Sequence, residues 1–152
     1  CRCIRCREVG HRRMKDDVEP APEEVRLIRT CYESSWGKEI FLSEEDLTTD
    51  TLVAYLRLRI PSRSAHRIEI GSESSSVVRE LRVCGPVVPI GERDPTSWQH
   101  RGYGASLLRE AERFSKEEYD IRKILVLSAL GTKQYYSRAG YVCDGPYMSK
   151  LL

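Results

Sequence analysis

The 152-residue chain carries 25 lysines and arginines against 23 aspartates and glutamates, with 40% hydrophobic residues, 32% charged residues and six cysteines. That length suits one domain with its own core, and the formal charge of +2 does not by itself call for a nucleic-acid partner. No apolar run approaches the ~18 residues of a membrane-spanning helix, and no secretory h-region precedes the charged, thiol-rich start, so the expected compartment is the cytoplasm. The chain begins without Met and in mid-motif, and reads as a piece of a longer protein.

The charge is unevenly placed. Arg2, Arg5, Arg7, Arg12, Arg13 and Lys15 crowd the start with Glu8 as the one acid among them. A second basic stretch follows at Arg57, Arg59, Arg63, His66 and Arg67. Two such runs make a phosphate backbone a candidate partner. Interleaved with the first, Cys1, Cys3 and Cys6 form C-x-C-x-x-C, a spacing that lets a short turn aim three thiolates at one tetrahedral zinc. Cys31, Cys84, Cys143 and His11 are candidates for the fourth ligand, and three free thiols are the alternative. Residues 1–15 are therefore expected to be a basic, cysteine-rich segment, and 16–152 the main domain.

Along the chain, Glu8 to Met14 reads as an extended strand. Pro22 with two glutamates reads as a helix start, with Val25, Leu27, Ile28 and Cys31 as the apolar face of a helix to about Tyr32. Ser34 to Lys38 is a turn, Glu39 to Ser43 a short strand, and Thr51 to Ile60 a longer one whose alternation places Arg57 and Arg59 on a wet face. Pro61 to Ser76 is a polar loop. Val77 to Cys84 is a strand ended by Gly85-Pro86, and Val87 to Trp98 a linker. A helix follows, with Leu107, Leu108, Ala111 and Phe114 on one face. The apolar run Lys123 to Leu130 suits a central strand. Thr132 caps a short helix carrying Tyr135 and Tyr136 and closed by Gly140. Tyr141–Cys143 and Tyr147–Leu152 are strands around a Gly145-Pro146 turn. The sum is a mixed α/β domain.

The stretch that singles out a function is Gln99-His100-Arg101-Gly102-Tyr103-Gly104-Ala105-Ser106-Leu107, a Q-x-x-G-x-G run opening the helix. A glycine turn at a helix N-terminus offers open N–H groups and the positive end of the dipole to phosphate oxygens. It has no lysine for a P-loop, and Leu107 stands where a Rossmann fingerprint needs a third glycine. A pyrophosphate is the expected ligand.

The strand, the Q-x-x-G-x-G helix, the buried strand and Tyr135-Tyr136-x-x-x-Gly140-Tyr141 together resemble the GCN5-related N-acetyltransferase family. V-R-E-L-R-V-x-G-x-V-V-P (Val78 to Pro89), W-Q-H-R-G-Y-G (Trp98 to Gly104) and the D-G-P-Y-M-S-K ending narrow the resemblance to the Elongator catalytic-subunit branch of that family. C-R-C-I-R-C-R-E-V-G (Cys1 to Gly10) is similar to that branch's zinc-binding linker. The resemblance implies a mixed central sheet flanked by helices, with two parallel strands splayed around acetyl-CoA. It implies an acyltransferase domain that supports carboxymethyl-type modification of wobble uridine 34, with tRNA as partner. It implies further a preceding radical-SAM domain with a [4Fe-4S] cluster and S-adenosylmethionine, absent from this chain, and a second copy or other Elongator subunits as partners.

Carried onto this sequence, Glu80, Leu81, Arg82 and Val83 are the expected strand contacts to acetyl-CoA. Gln99 and Arg101 to Leu107 are the expected pyrophosphate contacts. A phenol can protonate the departing thiolate if held within reach. Neighbours on a helix point roughly 100° apart, so one of Tyr135 and Tyr136 should face the sulfur; the family pattern favours Tyr136, with Tyr135 packing. Glu80 is the candidate base, with a structural pairing to Arg79 or Arg82 as the alternative. His100 is a less apt base beside a phosphate loop. The cations Arg2, Arg5, Arg7, Arg12, Arg13 and Lys15 are the expected RNA contacts. A protein lysine acetyltransferase and a nonenzymatic zinc- and tRNA-binding module are the competing readings.

Overall fold

The computed structural model describes residues 1–62, 64–71, 74–85 and 97–152. Two short helices, α1 (Ile4–Arg7) and α2 (Val9–Asp16), come first, then strands β1 (Val25–Ser34), β2 (Gly37–Asp46) and β3 (Thr51–Ile60). After them come α3 (Ile68–Gly71), β4 (Ser75–Val83), α4 (Tyr103–Tyr119), β5 (Lys123–Val126), α5 (Lys133–Arg138), β6 (Val142–Asp144) and β7 (Tyr147–Leu151). The strands form one mixed sheet in the order β1-β2-β3-β4-β5-β7-β6. The expected mixed α/β architecture is therefore present. Most of the 87–98 linker, Arg63 and part of the 61–76 loop lie outside the described residues; within that loop stands α3.

The chain divides into two compact units, the first of residues 1–29, 42–56 and 81–108, the second of 30–41, 57–80 and 109–152. In the first, the predicted strand at Glu8–Met14 is helical from Val9 on, and Glu8 alone keeps a parallel bridge, to Leu52. Val9 is the one buried residue of α2, so an apolar stripe does not hold this segment. Ion pairs do. Arg7 meets buried Glu45 and donates to Asp50 at 2.9 Å, and Arg2 makes two bonds of 3.0 Å to the same Asp50. Arg12 reaches Asp16 at 2.6 Å and the Thr49 carbonyl at 3.1 Å. A close backbone approach adds to this: a Cβ on Gly10 would lie 3.3 Å from the Gly85 Cα.

β2 is longer than expected because its last three residues, Glu44, Glu45 and Asp46, are buried acids with partners rather than loop charges. Asp46 closes the next turn, accepting from the Thr48 N–H at 2.8 Å and the Thr49 hydroxyl at 2.9 Å. β3 has the predicted bounds, yet Thr51 to Leu56 are all buried, so both faces are covered there and no wet face exists.

The helix expected from Pro22 to about Tyr32 is instead a 3-10 turn at Pro22–Glu24 followed by strand β1. This strand is at the sheet edge and is exposed at most positions. Half-burial of Val25 and Ile28 mimics a helical spacing, because an edge strand with neither face fully covered has no reason to alternate. β1 turns into β2 through Ser35 and Trp36, both left-handed at φ 43° and 61°, the geometry of a tight hairpin. Arg59 ties this tip down, donating to the Ser34 and Ser35 carbonyls at 2.6 and 2.9 Å. β5 ends at Val126, four residues earlier than predicted, and a 3-10 turn fills Leu130–Thr132. Thr132 precedes α5 but its hydroxyl donates to the Ala129 carbonyl at 2.9 Å instead of capping the helix. Gly140 closes α5 at φ 88°, as predicted. β7 pairs antiparallel with both β5 and β6.

Two stability predictions follow from the ion pairs. Arg7→Ala leaves Glu45 buried without its cation and costs about 3 kcal/mol in urea unfolding, whereas Arg7→Met combined with Glu45→Leu recovers most of that loss. The Asp50 carboxyl is held below the usual carboxylate range, chiefly by the Arg2 hydrogen bonds. Its contribution is thus complete above the unfolded value of about 3.9 and disappears as pH falls through the lower folded value. The urea midpoint should drop less steeply between about pH 5 and pH 2 in Asp50→Asn than in the parent.

Candidate functional site

The glycine turn sits on an aromatic base. Ser97 accepts from the Gln99 N–H at 3.3 Å and opens a single 3-10 turn, Trp98–His100. Trp98 is buried; the Arg101 guanidinium lies 4.6 Å above its ring and the Tyr103 ring 5.9 Å away. Gly102 then takes φ 85°, with nothing within 4 Å of the place a Cβ would occupy. Its carbonyl accepts the Ser106 N–H at 2.9 Å, the first bond of α4. Helix geometry leaves the N–H groups of Tyr103, Gly104 and Ala105 without an i−4 carbonyl. They stand at the positive end of a seventeen-residue helix. Of the predicted contacts here, Arg101 and Gly102 are exposed, Gln99, Tyr103, Gly104, Ala105 and Ser106 half-buried, and Leu107 fully buried. Leu107 belongs to the core. Burial raises the Tyr103 phenol, with Arg101 opposing. The His100 side chain is outside the description.

β4 and β5 run parallel from Ser75↔Lys123 to Val78↔Val126, and the Leu127 N–H closes the pairing on the Val78 carbonyl at 3.1 Å. β4 then continues to Val83 while β5 has ended. The strand residues expected to touch acetyl-CoA, Glu80 to Val83, all fall on this extension. Just past the end of β5, the Ser128 hydroxyl is buried with no partner among the described residues. The sequence reading passed over this residue as part of an apolar strand; a lone hydroxyl at the end of such a run was the available signal. The arginine found beside Glu80 is not one of the two expected. Arg57 approaches it at 3.7 Å, while Arg79 goes to Glu39 at 2.7 Å and Arg82 to Glu8 at 3.7 Å.

The paired tyrosines separate clearly. Tyr136 is buried and meets the rings of Tyr135 and Tyr141 edge-on at 5.1 and 5.9 Å. Burial first, and the neighbouring Tyr135 second, push its phenol up to about 12. Tyr135 is 42% exposed, so the packing role expected for it falls to Tyr136 and Tyr141. Tyr141 donates to Glu112 at 2.9 Å, and Lys150 reaches the other oxygen of the same carboxylate at 2.8 Å. Burial and that carboxylate raise the Tyr141 phenol strongly. Its proton is committed to Glu112, and Tyr136 is the buried phenol of α5.

The sulfurs of Cys1, Cys3 and Cys6 lie within 4.8 Å of one another. Hydrogen bonding from Cys6, main chain first and thiol second, favours the Cys3 thiolate. Among the described residues none of the candidates for a fourth ligand joins this group. Of the six basic residues beside it, Arg2, Arg7, Arg12 and Arg13 have acidic partners. Arg5 and Lys15 are exposed.

The chain is 48% identical over its whole length to the tRNA uridine(34) acetyltransferase of Methanocaldococcus jannaschii, and 47% identical to Elongator complex protein 3 of Schizosaccharomyces pombe. The solved Elp3 of Methanocaldococcus infernus superposes with a TM-score of 0.90 at 49% identity, covering all of this chain and 35% of that one. The chain belongs to this family. No family model matches the chain. It spans about 28% of the length of the two curated relatives. An acetyltransferase of the GNAT family from Staphylococcus aureus Mu50, at 14% identity and a TM-score of 0.50 over 75% of this chain and 68% of that one, shares the fold. The fold is that of the GCN5-related N-acetyltransferases, as the sequence motifs implied. Among the described residues no helix is long and apolar enough to cross a membrane.

Trp98 is a testable support of the family's glycine turn. Trp98→Ala should cost about 3 kcal/mol in urea unfolding, and Trp98→Phe, which keeps a ring beneath Arg101, should recover at least half of it.

Proposed function

We propose that this chain is the acetyl-CoA-binding part of a tRNA uridine(34) acetyltransferase, and that it cleaves the acetyl thioester in support of carboxymethyl-type modification of the wobble uridine. The observation that carries the reading is identity near 48% along the entire chain, glycine turn included. The fit to acetyl-CoA rests on three local features. The Gly102 turn has room for a ligand, with no Cβ and open N–H groups suited to a pyrophosphate. The extension of β4 past β5 suits the amides of the pantetheine arm, which pair as an added strand would. Ser128 offers a buried hydroxyl that lacks a partner among the described residues.

The chemistry divides among few groups. Water or another nucleophile attacks the acetyl carbonyl carbon, its proton passing to Glu80, and the negative oxygen is met by a β4 N–H. As the carbon–sulfur bond breaks, charge builds on sulfur and Tyr136 donates a hydrogen bond there, while solvent supplies the proton that the released thiolate takes up. With its phenol pushed up to about 12, Tyr136 is fully protonated at neutral pH. Complete transfer to a thiolate of ordinary basicity, about 8.5, runs uphill. The hydrogen bond that strengthens as charge develops is therefore the source of its advantage.

Cys1, Cys3 and Cys6 fit zinc: three thiols converge and one is tuned toward its thiolate. The ion would pin the N-terminal turn, and supplies no step of the reaction. The exposed Arg5 and Lys15 are the members of that cluster best placed to meet RNA. Chemistry on the base itself, with an iron–sulfur cluster and S-adenosylmethionine, belongs on this reading to the part of the relatives beyond the matched 28%.

Release of free CoA thiol from acetyl-CoA tests the reading. tRNA should stimulate it, Gly102→Arg should abolish acetyl-CoA binding, and Tyr136→Phe should lower the rate at least about a hundredfold with binding intact. The parent should show no alkaline decline below about pH 10, since the depleted form of Tyr136 is absent there. Acetylation of a lysine peptide with no response to tRNA would replace this reading by the protein-acetyltransferase one.

A further inference from the structure

Arg59, His66 and Arg67 of the second basic stretch have a place in the fold that the thioester chemistry does not use. Within the second unit, a cavity of about 440 Å³ opens between an apolar floor of Ile70, Val77 and Tyr147 and a rim carrying Arg59, Arg67 and Arg79. That volume is in the range of small-molecule sites, roughly 300–1,000 Å³. The floor is firm: Val77 and Tyr147 pack with Leu125 in one cluster, and Ile70 packs against it. Arg67 lies over the Tyr147 ring at 5.9 Å.

The rim is cationic after its internal pairs are counted. Arg59 and Arg79 share one buried carboxylate, Glu39, at 3.4 and 2.7 Å, and Arg67 stands 3.8 Å from Glu69. Three guanidinium groups thus face two carboxylates, and His66 lines the same space. An apolar floor flanked by excess positive charge suits a ligand with a flat apolar body and an attached anion.

Beside the opening stands Trp36. Ser34 and Ser35 line the cavity, and the next residue, Trp36, is 97% exposed. Both Ser35 and Trp36 have left-handed backbone, which turns of this kind normally fill with asparagine and glycine. A fully exposed indole on such a backbone contributes nothing to folding that glycine would not supply better. The turn is nevertheless held firmly, because Arg59 donates to the Ser34 and Ser35 carbonyls and a Cβ on Gly37 would strike the Ile60 carbonyl oxygen. The indole is presented on a rigid mount.

We propose that this cavity and Trp36 together bind an unstacked nucleotide of single-stranded RNA, one base entering over the Ile70–Val77–Tyr147 floor, its phosphate meeting the arginine rim, and the adjacent base stacking on Trp36. The inference rests on the tRNA reading above and assigns the RNA contact to residues outside the N-terminal cluster. A paired duplex hides its base faces, whereas a loop nucleotide offers a flat face and an anion at once.

The test is binding of an anticodon stem–loop RNA, uridine at the wobble position, to the full chain at fixed salt. Trp36→Gly suits the left-handed φ and leaves the fold intact, so a weakening reports lost stacking; about tenfold is expected. Arg67→Ala should weaken binding by a similar factor and lower the salt slope by about one. A fully paired duplex of the same length should compete poorly. Full-strength stem–loop binding by both variants overturns the site while leaving the proposed function standing. So does equal binding of the duplex or of an acidic peptide. A parent chain that binds no stem–loop overturns the tRNA reading and the site together.

Discussion

The parallel pairing of β4 with β5, and its stop at Val78 and Val126, is the constraint on which the second unit depends. Over those few residues the sheet is buried on both faces. Leu125 packs with Val77 and Tyr147 on one side, and the buried hydroxyls of Ser76 and Ser115 meet at 2.8 Å, tying β4 to α4. A parallel pair needs such cover. Past Val126 the partner strand is gone, and the chain turns through Ser128 toward α5 and its tyrosines. A strand that outruns its neighbour keeps hydrogen-bonding groups to offer, which is how one local mismatch in strand length becomes a candidate ligand site.

A different economy governs the N-terminal segment. It has too little apolar surface to pack, so it is held by charge: Arg2 and Arg7 converge on Asp50, and Arg7 also meets Glu45. A basic cluster that looks in the sequence like a surface for polyanions is in large part paired already, Arg2 and Arg7 with acids of the β2–β3 region and Arg12 and Arg13 with Asp16 and Glu19. The cationic surplus lies elsewhere, on arginines that share too few carboxylates. Net charge near zero says little about either.

The three tyrosines of the α5 region show how burial and partners separate chemically identical groups. Tyr135 reaches solvent, Tyr141 spends its proton on Glu112, and Tyr136 is buried with a raised phenol against the rings of Tyr135 and Tyr141. Lys150 neutralises the Glu112 carboxylate, so Tyr141 can be buried beside it. The D-G-P-Y-M-S-K ending is then mostly a structural device. Asp144 pairs with Lys123, Gly145 adopts φ 59° beside Glu69, Tyr147 floors the cavity, and Lys150 completes the Tyr141 pair.

By itself the sequence determined what depends on local chemistry. The glycine turn, α4, the bounds of β3, the β4 strand and the family were legible because glycine conformation, helical apolar spacing and motif order act over a few neighbours. What it misjudged depended on distant partners. Val25 to Ser34 became a strand because the Ser35–Trp36 turn folds it onto β2, and no local period records that. The helical turns at Val9–Asp16 lie beside ties that no local period records, from Arg7 to Glu45 and Asp50 and from Arg12 to the Thr49 carbonyl. Glu44 to Asp46 were buried because their partners came with them, and the point where β5 ends was set by its register against β4. The tertiary structure alone decided which tyrosine is buried, which arginines are already spent, and where the exposed indole stands, since each is a question of what else occupies the same space.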